Sequence, residues 1–197
     1  MLSRTSILVA LVSSLAVIGP AAAQDRAITF SVRGGGYNSL TDLNDPGDAD
    51  FRKTGYNVGA AVGVRLNRYV GLRGDATFGR NELRAEGVDT GNELSRIFYN
   101  AAVQVQYPTV SGLEPYAFVG AGGVTLHEVG TDENHSKLAG TFGIGLHYAI
   151  PRTRLGVFLE GQGWVYGLSG LNGSLSAYDK TQLETGWSGG FSYSLPF

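Results

Sequence analysis

Apolar and polar residues alternate along most of this chain with a period of two, the pattern of strands that bury one face differently from the other. A first strand carries Ile28, Phe30 and Val32 on one face and Thr29, Ser31 and Arg33 on the other. The second sets Tyr56, Val58, Ala60, Val62 and Val64 against Asn57, Gly59, Ala61, Gly63 and Arg65, and the third sets Val70, Leu72, Ala76 and Phe78 against Arg73, Asp75 and Thr77. The fourth is the clearest, with Ile97, Tyr99, Ala101, Val103, Val105 and Tyr107 opposing Arg96, Asn100, Gln104 and Gln106. A fifth strand runs near Tyr116 to His127, where both faces are small and apolar; its phase stays open, and the preferred reading turns Tyr116 and Phe118 outward. The sixth places Leu138, Phe142, Ile144, Leu146 and Tyr148 against Thr141, Gly143, Gly145 and His147. The seventh places Leu155, Val157, Leu159 and Val165 against Arg154, Glu160 and Gln162. The eighth starts near Gln182, passes through Trp187, and ends with Phe191, Tyr193, Leu195 and Phe197 alternating with Gly190, Ser192, Ser194 and Pro196.

The connections alternate as well. Long polar ones (38–52, 81–94, 129–136 and 167–181) take turns with short ones (67–68, 108–115 and 151–153). Eight strands joined in this way predict an all-β, antiparallel up-and-down transmembrane β-barrel, with both termini and every short turn on one side. Beyond Pro20, proline falls only in a long loop (Pro46), beside short turns (Pro108, Pro115 and Pro151) or at Pro196, where no ladder hydrogen bond is lost.

Alternation alone does not separate a membrane barrel from a soluble one, since both have an apolar and a polar face. The distribution of charge separates them. The greasy face carries no Asp, Glu, Lys or Arg, as expected where a basic residue at mid-depth costs roughly 2 to 4 kcal/mol. The polar face is mostly Gly, Ala, Ser, Thr, Asn and Gln, which suits the inside of a narrow tube. Aromatic residues gather near the strand ends: Phe30, Tyr107, Tyr116, Tyr148 and Tyr193 toward the short turns, and Tyr56, Phe78, Tyr99 and Trp187 toward the loops. Two such bands predict interfacial girdles. The inward charges Arg33, Arg73, Asp75 and Glu160 fall near mid-depth, and the third and seventh strands face each other across the tube. Arg73 is therefore expected to meet Glu160 in the lumen, with Gln162 as a hydrogen-bonding neighbour. An interior of eight strands is filled by side chains, so a structural charge network is preferred over a gate or selectivity filter. Nearer the loops, Lys53, Arg96, Lys137 and Glu184 are candidates to line a shallow vestibule.

The N-terminal segment changes the compartment. Arg4, the apolar run from Ile7 to Ile18 and Ala21-Ala22-Ala23 form a cleavable secretory signal, too short for the roughly 20 residues of a spanning helix. The expected division is a signal peptide at 1–23 and one barrel domain at 24–197. Cysteine is absent, so a closed sheet rather than disulfides must hold this exported chain together. The formal charge of -2 and the lack of a basic run exclude nucleic acid as a partner.

On these residues the chain resembles the OmpA-type and OmpX-like small outer-membrane barrels, the porin-family proteins of Gram-negative bacteria. The terminal segment Gly186-Trp187-Ser188-Gly189-Gly190-Phe191-Ser192-Tyr193-Ser194-Leu195-Pro196-Phe197 carries the resemblance most specifically. The resemblance implies a C-terminal signal on Phe191, Tyr193, Leu195 and Phe197 that the barrel-assembly machinery reads, with Leu195 standing where an aromatic is common. It also implies outer-membrane lipid around the barrel, periplasmic termini, and extracellular loops that meet a surface partner.

No enzyme, cofactor or metal is expected. At the twelfth position of a loop starting at Asp42 the acidic segment presents Lys53, where an EF-hand loop needs Glu, and His127, His135 and His147 lack a metal-ligand spacing. His135-Ser136 lacks the His-x-Ser-Asn pattern of outer-membrane deacylases. The expected function is a structural or surface-interaction role with a side-chain-filled lumen; the alternative is a narrow porin-like channel for small solutes or ions.

Overall fold

A computed structural model of the chain describes residues 26–41, 49–50, 55–85, 88–128, 134–169 and 180–197. The expected signal peptide, the acidic run from Asp42 to Asp48 and Lys53 lie outside them. Eight long strands make up the fold: β1 (Ala27–Ser39), β2 (Gly55–Arg65), β3 (Val70–Ala85), β4 (Val88–Gln106), β5 (Leu113–Glu128), β6 (Asn134–Ala149), β7 (Leu155–Gly167) and β8 (Thr181–Pro196). Each pairs antiparallel with its neighbour in sequence, and β8 returns to pair with β1 from Ala27↔Pro196 to Ser39↔Glu184, which closes the sheet into a barrel. Closure satisfies the backbone N–H and C=O groups that lipid would otherwise leave unpaired, because each of the eight long strands is paired on both sides.

Local chemistry makes the short turns. Asn67 Oδ1 accepts from the backbone N–H of Tyr69 at 2.8 Å and of Val70 at 2.9 Å, forming an Asx turn between β2 and β3. Between β4 and β5 the chain reverses at Gly112, whose φ of 81° needs a residue without Cβ. Thr153 Oγ1 donates to the Ile150 carbonyl at 2.9 Å and accepts from Leu155 N–H at 3.1 Å to fix the β6–β7 turn.

The side chains divide by parity. Val32, Val58, Val103, Ile144, Leu159 and Phe191 are exposed on the outside, whereas Asn57, Arg73, Asn100, Thr141 and Glu160 are buried within. Among the described residues, the outward positions between the two aromatic bands carry no charge. Exposed Phe30, Tyr69, Tyr107, Tyr148 and Tyr193 mark the short-turn band; Tyr56, Tyr99 and Trp187 mark the other.

Two expectations need correction. Phe118 is 4 % exposed and Tyr116 donates to Glu160, so both point inward and Val119 of β5 faces out. Glycines on β6 explain this: Tyr116 pairs with Gly145 and Phe118 with Gly143, and a Cβ at either glycine would collide with the ring above it. The segment 81–94 is largely strand rather than loop, since β3 and β4 continue pairing to Ala85↔Val88 past an irregularity between Glu82 and Arg84. A two-residue strand, Ala49–Asp50, pairs with that extension.

Candidate functional site

Alternation on β3 puts Arg73 and Asp75 on one inward row, and β1 and β7 bring Arg33 and Glu160 to the same depth. Arg33 lies between Gly59 of β2 and Gly190 of β8 in the register, and a Cβ at Gly59 would sit 3.1 Å from Arg33 Nε. The missing side chain leaves room for the guanidinium to cross the lumen. It donates through Nη1 to Glu160 Oε1 at 2.6 Å and through Nη2 to Asp75 Oδ1 at 2.8 Å and Thr77 Oγ1 at 2.5 Å.

Arg73 completes the layer from the other side. It donates to Glu160 twice, Nη1 to Oε2 at 2.5 Å and Nη2 to Oε1 at 2.9 Å, in the forked geometry that suits a guanidinium and a carboxylate. Its Nε lies 3.5 Å from Asp75 Oδ2, and its guanidinium carbon sits 4.4 Å from the centre of the Phe118 ring. The Tyr116 hydroxyl donates to Glu160 Oε2 at 2.8 Å. Glu160 thus accepts from three side chains. Gln162 donates to Thr141 Oγ1 at 3.0 Å and to Asp75 Oδ1 at 3.4 Å, so it joins the layer through Asp75 rather than through the Arg73–Glu160 pair. Two cations and two carboxylates leave the cluster neutral, the condition under which burying an ion pair is tolerable.

Above this layer the lumen becomes apolar. Tyr37, Leu94, Phe98, Val124, Leu126, Trp164 and Tyr166 form a buried cluster, with Phe98 and Trp164 stacked at 4.6 Å between ring centres and 19° between planes. One ion pair is embedded in it. Arg96 Nε lies 3.0 Å from Glu184 Oε1, Arg96 Nη1 donates to Asn81 Oδ1 at 3.0 Å, and Tyr166 donates to Glu184 Oε1 at 2.7 Å. Arg96 and Glu184 are both fully buried, so they do not line an open vestibule. Lys137 instead donates to the Ser169 carbonyl at 2.6 Å near the rim.

Thr77, Tyr116 and Phe118 touch the charged layer, and Thr141 joins it through Gln162, although none of the four was expected to be part of the charge network. Thr77 shares the parity of Arg73 and Asp75, which would have identified it. On β8, Phe191 and Tyr193 are exposed on the outside of the barrel and Leu195 is half-buried, and Phe197, just past the strand, is exposed.

The model of the family described as "Outer membrane protein beta-barrel domain" matches residues 7–194. No curated protein matches the chain. Among solved structures, the chain is similar to Ail, the attachment invasion locus protein of Yersinia pestis, in complex with the heparin analogue sucrose octasulfate, at 15 % identity and a TM-score of 0.56, covering 87 % of this chain and 99 % of that one. It is similar to Neisserial surface protein A at 15 % identity and a TM-score of 0.54, covering 87 % and 97 %. It is also similar to OprG from Pseudomonas aeruginosa at 13 % identity and a TM-score of 0.54, covering 88 % and 98 %. Identities this low speak for the fold alone.

Proposed function

We propose, from the premise that this chain belongs to the outer membrane protein β-barrel domain family, that it is a side-chain-plugged barrel that stiffens the outer membrane and displays its long connections to a partner. The observation that carries this reading is the stack of two filled layers across the lumen. Arg33, Arg73, Asp75 and Glu160 are each 8 % exposed or less, and beyond them Tyr37, Phe98 and Trp164 are at most 1 % exposed. An ion crossing the tube would have to part both layers. This role calls for no reaction and no cofactor.

In this reading residues 1–23 are removed on export and 24–197 form the barrel, with the termini and short turns periplasmic and the long connections outside. Phe191, Tyr193, Leu195 and Phe197 serve as the assembly signal. The long connections are rich in carboxylates, including Asp42, Asp45, Asp48, Glu86, Asp132 and Glu133, whereas Arg68, Arg152 and Arg154 sit at the short-turn end. A partner drawn to the loop end by charge is therefore cationic, unlike the sulfated sugar bound by Ail.

Conductance of the purified barrel in planar bilayers tests the proposal. A plugged lumen gives no steady openings. Steady unit conductance would overturn it in favour of a narrow channel.

A further inference from the structure

At the short-turn end of the lumen, inward side chains on neighbouring strands form a row that neither filled layer uses. Glu114 of β5 stands directly opposite His147 of β6, and Ser192 of β8 stands opposite Gly156 of β7. Gly156 lets the row close: a Cβ at that position would collide with both His147 Nε2 and Ser192 Oγ. With that space empty, His147 Nε2 lies 2.8 Å from Ser192 Oγ, and His147 Nδ1 lies 3.4 Å from Glu114 Oε2. Arg65 of β2 donates to the same Glu114 oxygen at 2.8 Å and fixes the carboxylate. With its proton on Nδ1, His147 faces the Glu114 carboxylate at 3.4 Å and accepts at Nε2 from the Ser192 hydroxyl. That is the geometric order of nucleophile, base and orienting acid.

All three side chains line one cavity of about 90 Å³, room for several waters or a short acyl group but not for a long chain. The Glu114 and His147 side chains keep 14 % and 18 % exposure, so solvent reaches the row. Gln106, 9 % exposed, lines the same cavity; its Oε1 accepts from Gln104 Nε2 at 3.0 Å, while its own Nε2 has no acceptor among the described residues. A buried N–H without a partner is the kind of donor a developing oxyanion requires.

We propose that Ser192, His147 and Glu114 form a serine-hydrolase triad that cleaves short-chain acyl esters at the short-turn mouth of the barrel. Ser192 Oγ adds to the ester carbonyl carbon while its proton passes to His147 Nε2. The tetrahedral oxyanion collapses and breaks the carbon–oxygen bond to the alcohol, which leaves with the proton from His147. Water then adds to the acyl-Ser192 carbonyl, gives its proton to His147, and releases the carboxylic acid as Ser192 recovers a proton. Glu114 touches no reacting atom; it is a positioning residue that holds the imidazole tautomer.

The test uses the full mature chain refolded in detergent, with folding checked by heat-modifiable gel mobility. Wild-type barrel is treated with p-nitrophenyl acetate and, separately, with a small phosphonofluoridate, and the adducts are mapped by peptide mass. The proposal expects phosphonylation at Ser192 and saturable ester hydrolysis. Ser192→Ala and His147→Gln lower kcat/KM by roughly 100-fold or more. Gly156→Ala, which keeps all three residues but fills the space where they meet, gives a comparable loss. Glu114→Gln lowers kcat with KM unchanged, and Glu114→Asp restores part of it, a split that a merely structural Glu114 would not produce. Folded wild-type barrel that takes up no phosphonyl group at Ser192 overturns the proposal, whatever the variants do. Hydrolysis equal in wild type and folded Ser192→Ala overturns it as well.

Discussion

The two buried side-chain layers inside the barrel solve the same packing problem with opposite chemistry. In the mid-lumen layer, four charges neutralise one another and both guanidiniums converge on the Glu160 and Asp75 carboxylates. In the loop-side layer, one ion pair, Arg96 with Glu184, is set among stacked aromatic rings. Buried charge is directional, and losing one member leaves the others uncompensated. Aromatic packing is spread over many contacts and yields gradually when one ring changes. The comparison teaches that the barrel has a brittle layer, set by charge balance, and a tolerant one, set by volume.

The largest expected effect follows from removing the hub of the brittle layer. Glu160→Gln leaves two guanidiniums facing a single carboxylate and is expected to lower stability by about 3 to 5 kcal/mol, measured by urea unfolding from lipid vesicles. Gly145→Ala acts on the same layer indirectly. Its methyl group occupies the seat of the Tyr116 ring and pulls the hydroxyl from Glu160, with an expected loss of about 1 to 3 kcal/mol from overpacking and a change in Tyr116 fluorescence on folding. Phe98→Leu in the tolerant layer keeps the site apolar and close in volume, so the expected loss is about 1 kcal/mol; a loss as large as that of Glu160→Gln would erase the distinction between the layers. Smallest is Arg80→Ala, which removes a partly exposed pair with Glu93 on the outer side of β3 and β4 and is expected to lower stability by no more than about 1 kcal/mol in the same urea unfolding.

Strand number, closure and the lipid-facing parity of seven strands were legible because a period-two signal survives wherever one face is apolar and the other polar. The fifth strand shows where that signal fails. Around Ala117, Gly120, Ala121, Gly122 and Gly123 neither face has a preference of its own, and what turns Tyr116 and Phe118 inward is the glycine pair on the next strand. Phase there belongs to two strands jointly, and a scan along one strand does not contain it. The loop-side layer was hidden for a related reason. Tyr37, Phe98, Val124, Leu126 and Trp164 are apolar residues on the inner face, where the alternation rule leads one to expect polar ones. Arg96 and Glu184 were visible as inward charges, but their full burial depends on those rings. The row of Glu114, His147 and Ser192 carries no local motif at all. It exists only because three strands and the gap at Gly156 coincide at one depth.

A double-mutant cycle on Arg73 and Glu160 tests most directly whether charge balance holds the lumen together. Arg73→Met and Glu160→Met each leave a net charge behind, while the double variant keeps Arg33 paired with Asp75. Urea unfolding in lipid vesicles is predicted to show a coupling of about 2 to 3 kcal/mol, with the double variant more stable than Glu160→Met alone. Two single changes of near-zero effect that simply add would contradict the account, because they would mean that both side chains stay hydrated in a water-filled tube.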